Sequence, residues 1–131
     1  LGLLDEARRL AARRSIILVL TDEGPFTDDH VEALRRLRLR HDVLWLSVRD
    51  AVLTDAALAG ADLVDVTGSA RLPALLRDDV ELRAAYEQST AAAAARRRSS
   101  LRRLGIASEE IAAEADVVPA VARLLERAGR A

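Results

Sequence analysis

The stretch SIILVLTDEGPF, residues 15–26, constrains the fold more than any other. Five β-prone apolar residues, Ile16 to Leu20, run without a polar break, then stop at Thr21, Asp22 and Glu23 before a Gly24-Pro25 loop. So short a continuous apolar run predicts a strand buried on both faces. Such a strand needs helices above and below it, which argues for a layered α/β sheet. VLWLSV, residues 43–48, repeats the pattern and predicts a second strand, followed by Arg49 and Asp50.

Helical periodicity fills the intervals. Leu3, Leu4, Ala7, Leu10 and Ala11 recur at helical spacing over residues 3–13, with Arg13 and Arg14 closing that helix near its negative end. Thr27, Asp28 and Asp29 offer capping oxygens to a helix over 28–40. Its stripe is Val31, Leu34 and Leu37, with His30 and the arginines outside. Residues 51–62 are alanine-rich and ambiguous, and VDVTGSARL (64–72) predicts a small hairpin turning at Gly68-Ser69.

Asp78 and Asp79 open a long helix that Gly105 stops after Leu104. Leu82, Tyr86, Ala93, Leu101 and Leu104 share one of its faces, and Arg97 falls in the middle of that face. Ile106 to Ala113 is a weak third strand, interrupted by Glu109 and Glu110. Asp116 and Pro119 begin a last helix bearing Val121, Leu124 and Leu125, ended by Gly129. The alternation predicts one α/β domain over residues 1–131, a three-layer, mostly parallel sheet flanked by helices with right-handed crossovers. At 131 residues the chain is long enough to bury roughly two-thirds of its unfolded surface.

Composition removes several function classes. All 20 basic residues are arginine and 21 are acidic, interspersed along most of the chain; this is a solvated surface, not a nucleic-acid footprint. Without lysine there is no Walker or Schiff-base lysine. The chain has no cysteine, hence no disulfide, thiol nucleophile or cysteine metal site, and His30 and His41 alone cannot build a zinc site. One Trp, one Tyr and one Phe give no stacking platform for bases. No apolar run approaches the ~20 residues that span a bilayer and no signal peptide is visible, so the expected location is cytoplasmic. The start at Leu1, inside an amphipathic segment, reads as a piece of a longer, conceivably membrane-anchored, protein.

The order and spacing of landmarks resemble a known arrangement: the strand ending in Asp22, the strand ending in VRD (48–50), the hairpin, LRAAY (82–86) and DVVPAVARLL (116–125). Together they are similar to the carboxyl-terminal part of bacterial von Willebrand factor A-like proteins of the family catalogued as domain of unknown function fifty-eight, often encoded beside MoxR-type AAA+ ATPases. The resemblance implies a partial doubly wound, Rossmann-like sheet spanning the family's third helix onward. It also places Asp22 where the last carboxylate of a metal-ion-dependent adhesion site falls. That site's Asp-x-Ser-x-Ser motif is missing from this chain. Mg²⁺ is therefore expected only in a full-length protein, with Asp22 the remnant of an incomplete site and no cofactor held by this chain. The first strand, Ile16 to Leu20, would lack its usual neighbour, which predicts a homo-oligomer or strand recruitment through that edge.

Each candidate residue also has a plainer reading. Asp22 is either a metal-site remnant or a turn carboxylate capping local N–H groups. A phosphoacceptor aspartate would want a late lysine, which is absent. Arg97 is expected to cover apolar surface with its stem while its head reaches water. The Arg96-Arg97-Arg98 cluster reads as a solvated face and His30 as an exposed helix-start histidine. Ser69 lacks the glycines of a nucleophile elbow. The expectation is a non-catalytic protein–protein interaction domain, a partner or adaptor of a MoxR-type AAA+ ATPase. The alternative is a small metal- or phosphate-binding α/β module or enzyme using Asp22 and Glu23.

Overall fold

A computed structural model describes residues 2–49 and 79–128. The predicted hairpin with Ser69, the alanine-rich 51–62 stretch, Asp50, Asp78 and Gly129 lie outside the described residues. The described elements run α1 (Gly2–Leu10), β1 (Ile16–Thr21), α2 (Asp28–Arg38), β2 (Asp42–Val48), α3 (Val80–Arg103), β3 (Ala107–Ile111), a 3₁₀ turn (Glu114–Asp116) and α4 (Val117–Ala128). The chain divides into two compact units, Leu1–Asp50 with Ala94–Ala131, and Ala51–Ala93. Of the second, residues 79–93 are described: Asp79 caps α3, its Oδ1 accepting the Glu81 and Leu82 N–H groups at 2.9 and 3.0 Å.

The first unit holds a parallel sheet in the order β1-β2-β3. Ile16 registers with Asp42 and Thr21 with Ser47; across the next pair Leu44 meets Ala107 and Val48 meets Ile111. Odd and even positions separate into two cores. On one face Leu34 and Leu37 of α2 and Leu101 of α3 pack on Val43 and Trp45, with Leu4, Ile17, Val19 and Phe26 at the margin. On the other, Ala120 and Leu124 of α4 pack on Leu44, Leu46 and Ile111. Helices thus lie on both faces, the expected α/β layering. Leu34, Leu37, Leu101 and Leu124 are fully buried, each worth about 1.5–3 kcal/mol over an exposed side chain.

β1 departs from its prediction. Ile17 and Val19 are half-buried, but Ile16, Leu18 and Leu20 are 57, 47 and 63% exposed. Among the described residues β1 pairs only with β2, and α4 packs mainly over β3 and β2. A continuous apolar run therefore ends up covered on one face.

Other elements shift in detail. α1 ends at Leu10, before Arg13 and Arg14, and the basic residues of its last turn are Arg8 and Arg9. His30 is half-buried: its Nδ1 accepts the Thr27 N–H at 3.1 Å, and its ring stacks on Phe26 at 5.9 Å. Phe26 in turn meets Trp45 edge-on at 5.6 Å. On α2, the hydrogen bond from Arg36 is the main influence that lowers the Glu32 carboxyl from its ordinary value; desolvation opposes it, and Arg35 adds a further lowering.

The buried face of α3 is Ala94, Arg97 and Leu101, whereas Leu82, Tyr86 and Ala93 are exposed. The helix closes on Gly105 at φ +66°, with Ile106 N–H donating to the Leu101 carbonyl (2.9 Å) and Gly105 N–H to that of Arg102 (3.0 Å). This is a Schellman closure, and its two flanking apolar residues, Leu101 and Ile106, both enter the core.

β3 forms in spite of its two glutamates because each has partners. Glu109 receives Arg123 at 3.0 Å and Arg127 at 2.8 Å from α4; Glu110 receives Arg49 at 3.0 Å and Arg98 at 3.5 Å. Asp116 turns the chain into α4 by accepting the Ala113 N–H at 3.1 Å.

Candidate functional site

The carboxyl ends of parallel strands are where an open α/β sheet places ligands. Here that end carries Thr21 as the last residue of β1, Asp22, Glu23 and Gly24 after it, Arg49 after β2, and Arg97 and Arg98 from α3. The apolar run delivers Asp22 to the surface because the strand must end where the layer ends.

Asp22 is exposed, and its contacts are local. Its Oδ1 accepts the Gly24 N–H at 3.1 Å and lies 3.5 Å from Thr21 Oγ1. A Cβ on residue 24 would stand 2.9 Å from the same oxygen, so a side chain there would push the exposed carboxylate aside. Asp22 is a turn-capping residue in this geometry. Among the described residues no three His, Asp or Glu side chains converge to hold a metal ion.

Glu23 and Arg97 depart furthest from expectation. Arg97 does not reach water: it is 5% exposed, and its guanidinium meets Glu23 Oε1 at 3.3 Å, with Glu23 itself 12% exposed. The helix places this guanidinium against the end of β1, joining two segments 74 residues apart in sequence. Periodicity marks Arg97 as a charged residue within an apolar face. What it lacks is the partner, since nothing local ties residue 97 to residue 23. Arg98, one position on, is half-exposed and reaches Glu110 instead.

His41 had no sequence signal as a buried residue. It sits at the amino end of β2, 2% exposed, and neither ring nitrogen has a hydrogen-bond partner among the described residues. Beside that end of the sheet, Asp42 accepts Arg14 and Arg38, each at 3.3 Å. A cleft of about 40 Å³ lies there between Arg38, Asp42, Gly105 and Arg127. Small-molecule pockets run to several hundred Å³, so this one has room for little beyond water.

No nucleophile–base pair is built at either end of the sheet from these residues: Asp22 is spent on its turn, Glu23 on Arg97 and Glu110 on Arg49 and Arg98. The feature left open is β1 itself, with its exposed row of Ile16, Leu18 and Leu20 and a side that no strand among the described residues pairs with. No protein-family model, curated protein or solved structure matches the chain. Among the described residues no helix is long and apolar enough to cross a membrane.

Proposed function

We propose that this chain is a non-catalytic protein–protein interaction domain, a partial von Willebrand A-like unit whose contact element is β1. The observation that carries the proposal is the apolar row Ile16, Leu18 and Leu20, about half exposed beside a strand edge with no described neighbour. An edge offering both backbone hydrogen bonds and apolar side chains is a template for another chain. The contacts of Asp22 and Glu23 within their own surroundings count against a metal- or phosphate-handling reading. The resemblance of the landmarks points to a MoxR-type AAA+ ATPase as the outside partner, in a cytoplasmic setting.

The test is a fluorescence-anisotropy titration of the labelled chain with a purified MoxR-type ATPase, wild type beside Leu18→Arg. Saturable binding that the variant weakens more than about tenfold is the expected outcome, since a charge would enter the contact. Binding unchanged by Leu18→Arg removes β1 as the contact element, and no binding removes the ATPase as partner.

A further inference from the structure

We propose that, where no outside partner holds it, β1 pairs with a second copy of the same strand, joined antiparallel about a twofold axis at Leu18, in competition with that partner for the one open edge. The inference rests on the reading of β1 as a contact element and names what occupies it. Three observations carry it.

The first is which backbone groups are free. The Asp42 N–H donates to the Ser15 carbonyl at 2.9 Å, so Ser15 faces β2. Because N–H and C=O directions alternate along a strand, Ile17, Val19 and Thr21 also face β2, and Ile16, Leu18 and Leu20 present theirs to the open side. The residues with free backbone groups are thus the ones whose side chains are exposed.

The second is the sequence around Leu18, Arg13-Arg14-Ser15-Ile16-Ile17-Leu18-Val19-Leu20-Thr21-Asp22-Glu23. Read from the centre outward it is complementary to its own reverse. Leu18 faces Leu18, Ile16 faces Leu20, Ser15 faces Thr21, and Arg14 faces Asp22. In this register Ile16, Leu18 and Leu20 form hydrogen-bonded pairs with their counterparts, as the backbone directions require. Both ends are closed by opposite charges. Sliding the partner by two residues either way sets Arg14 against Leu20 or Asp22 against Ile16, and parallel pairing sets arginine beside arginine. Arg14 and Asp22 are exposed, so neither needs a repacked core to meet its counterpart: Arg14 would exchange its 3.3 Å contact with Asp42 of its own chain, and Asp22 would use its other oxygen while Oδ1 keeps the turn.

The third is the contrast between the two edges of the sheet. β3 carries Glu109 and Glu110 together with the arginines that meet them, a charged edge of the kind that resists pairing. β1 has no charge or proline from Ile16 to Thr21. Self-pairing through β1 converts two three-stranded sheets into one of six strands with glutamate-bearing edges. It also sets two apolar rows side by side on the face that α4 leaves uncovered.

The experiment uses the intact chain. Sedimentation velocity from about 1 to about 100 µM should show a dimer forming by mass action. Arg14→Glu and Asp22→Arg should each raise the dissociation constant more than about tenfold, because each sets like charges opposite one another twice. An equimolar mixture of the two variants should recover a tight heterodimer, since every facing pair is then of opposite sign. The chain has no cysteine, so Leu18→Cys supplies a single thiol. Its Cα atoms would lie about 5.5 Å apart across the axis, within disulfide range, and mild oxidation should link the dimer. Ile16→Cys should link to Leu20→Cys and not to itself.

A wild-type chain monomeric across the range overturns the proposal. So does a dimer that neither links through Leu18→Cys nor is restored by mixing the charge variants. A monomer whose Leu18→Arg variant loses the ATPase overturns the second copy alone and leaves β1 as a contact element. An in-register dimer that binds no ATPase removes the outside partner and leaves the pairing.

Discussion

Glu23 and Arg97 set the residue-scale energetics at the end of β1. Two charges drawn out of water gain less from each other than their separation suggests, because each has lost its hydration. The same desolvation makes it costly to remove one partner. Arg97 is the more deeply buried of the two, and Glu23 is its carboxylate among the described residues. Glu23→Ala should therefore destabilise the sheet unit by about 3 kcal/mol, and Arg97→Leu by less, since Glu23 lies nearer to solvent. The double variant Glu23→Ala/Arg97→Leu should be less destabilised than the sum of the two. Urea denaturation followed by Trp45 fluorescence measures all three. Strictly additive losses would mean that the two groups do not interact in solution.

Elements were legible in the sequence where local chemistry and burial agree. β1, α2, β2 and α4 follow from apolar spacing, and the end of α3 from Gly105, a position whose φ of +66° side chains avoid. A Cβ at Gly105 would touch nothing within 4 Å, so the cost of Gly105→Ala is purely conformational. It should be about 1 kcal/mol, read as a lower urea midpoint with an unchanged slope. What the sequence hid depends on distant neighbours. The apolar run of β1 implied two covered faces, because hydrophobicity records which residues avoid water, not which helix arrives to exclude it. Glu109 and Glu110 looked like interruptions of β3 until Arg123, Arg127, Arg49 and Arg98 supplied counter-charges from elsewhere in the chain. Arg97 was singled out for its face, but its partner came from a loop that periodicity does not address. At the candidate site, Asp22 was placed correctly at a strand end, and its use as a turn cap depended on Gly24, two residues on.

At the scale of the whole molecule, pairing through β1 ties stability to concentration. If only the folded strand can present its alternating backbone groups, every dimer formed draws on the native state and not on the unfolded chain. The native state then gains by mass action, about 2.7 kcal/mol when the partner stands a hundredfold above its dissociation constant. The single tryptophan reports on the right unit: Trp45 lies on β2 beside β1, its Nε1 donating to Ser47 Oγ at 2.9 Å in the core. Raising the chain a hundredfold in concentration, from the low to the high micromolar range, should lift the Trp45-monitored Tm by about 3 °C or more. Leu18 is about half exposed, so an arginine there can extend its head to water without disturbing the fold. Leu18→Arg should leave the Tm at low concentration nearly unchanged and abolish its rise with concentration. A wild-type Tm equally flat would separate the stability of the sheet from any pairing of its bare edge.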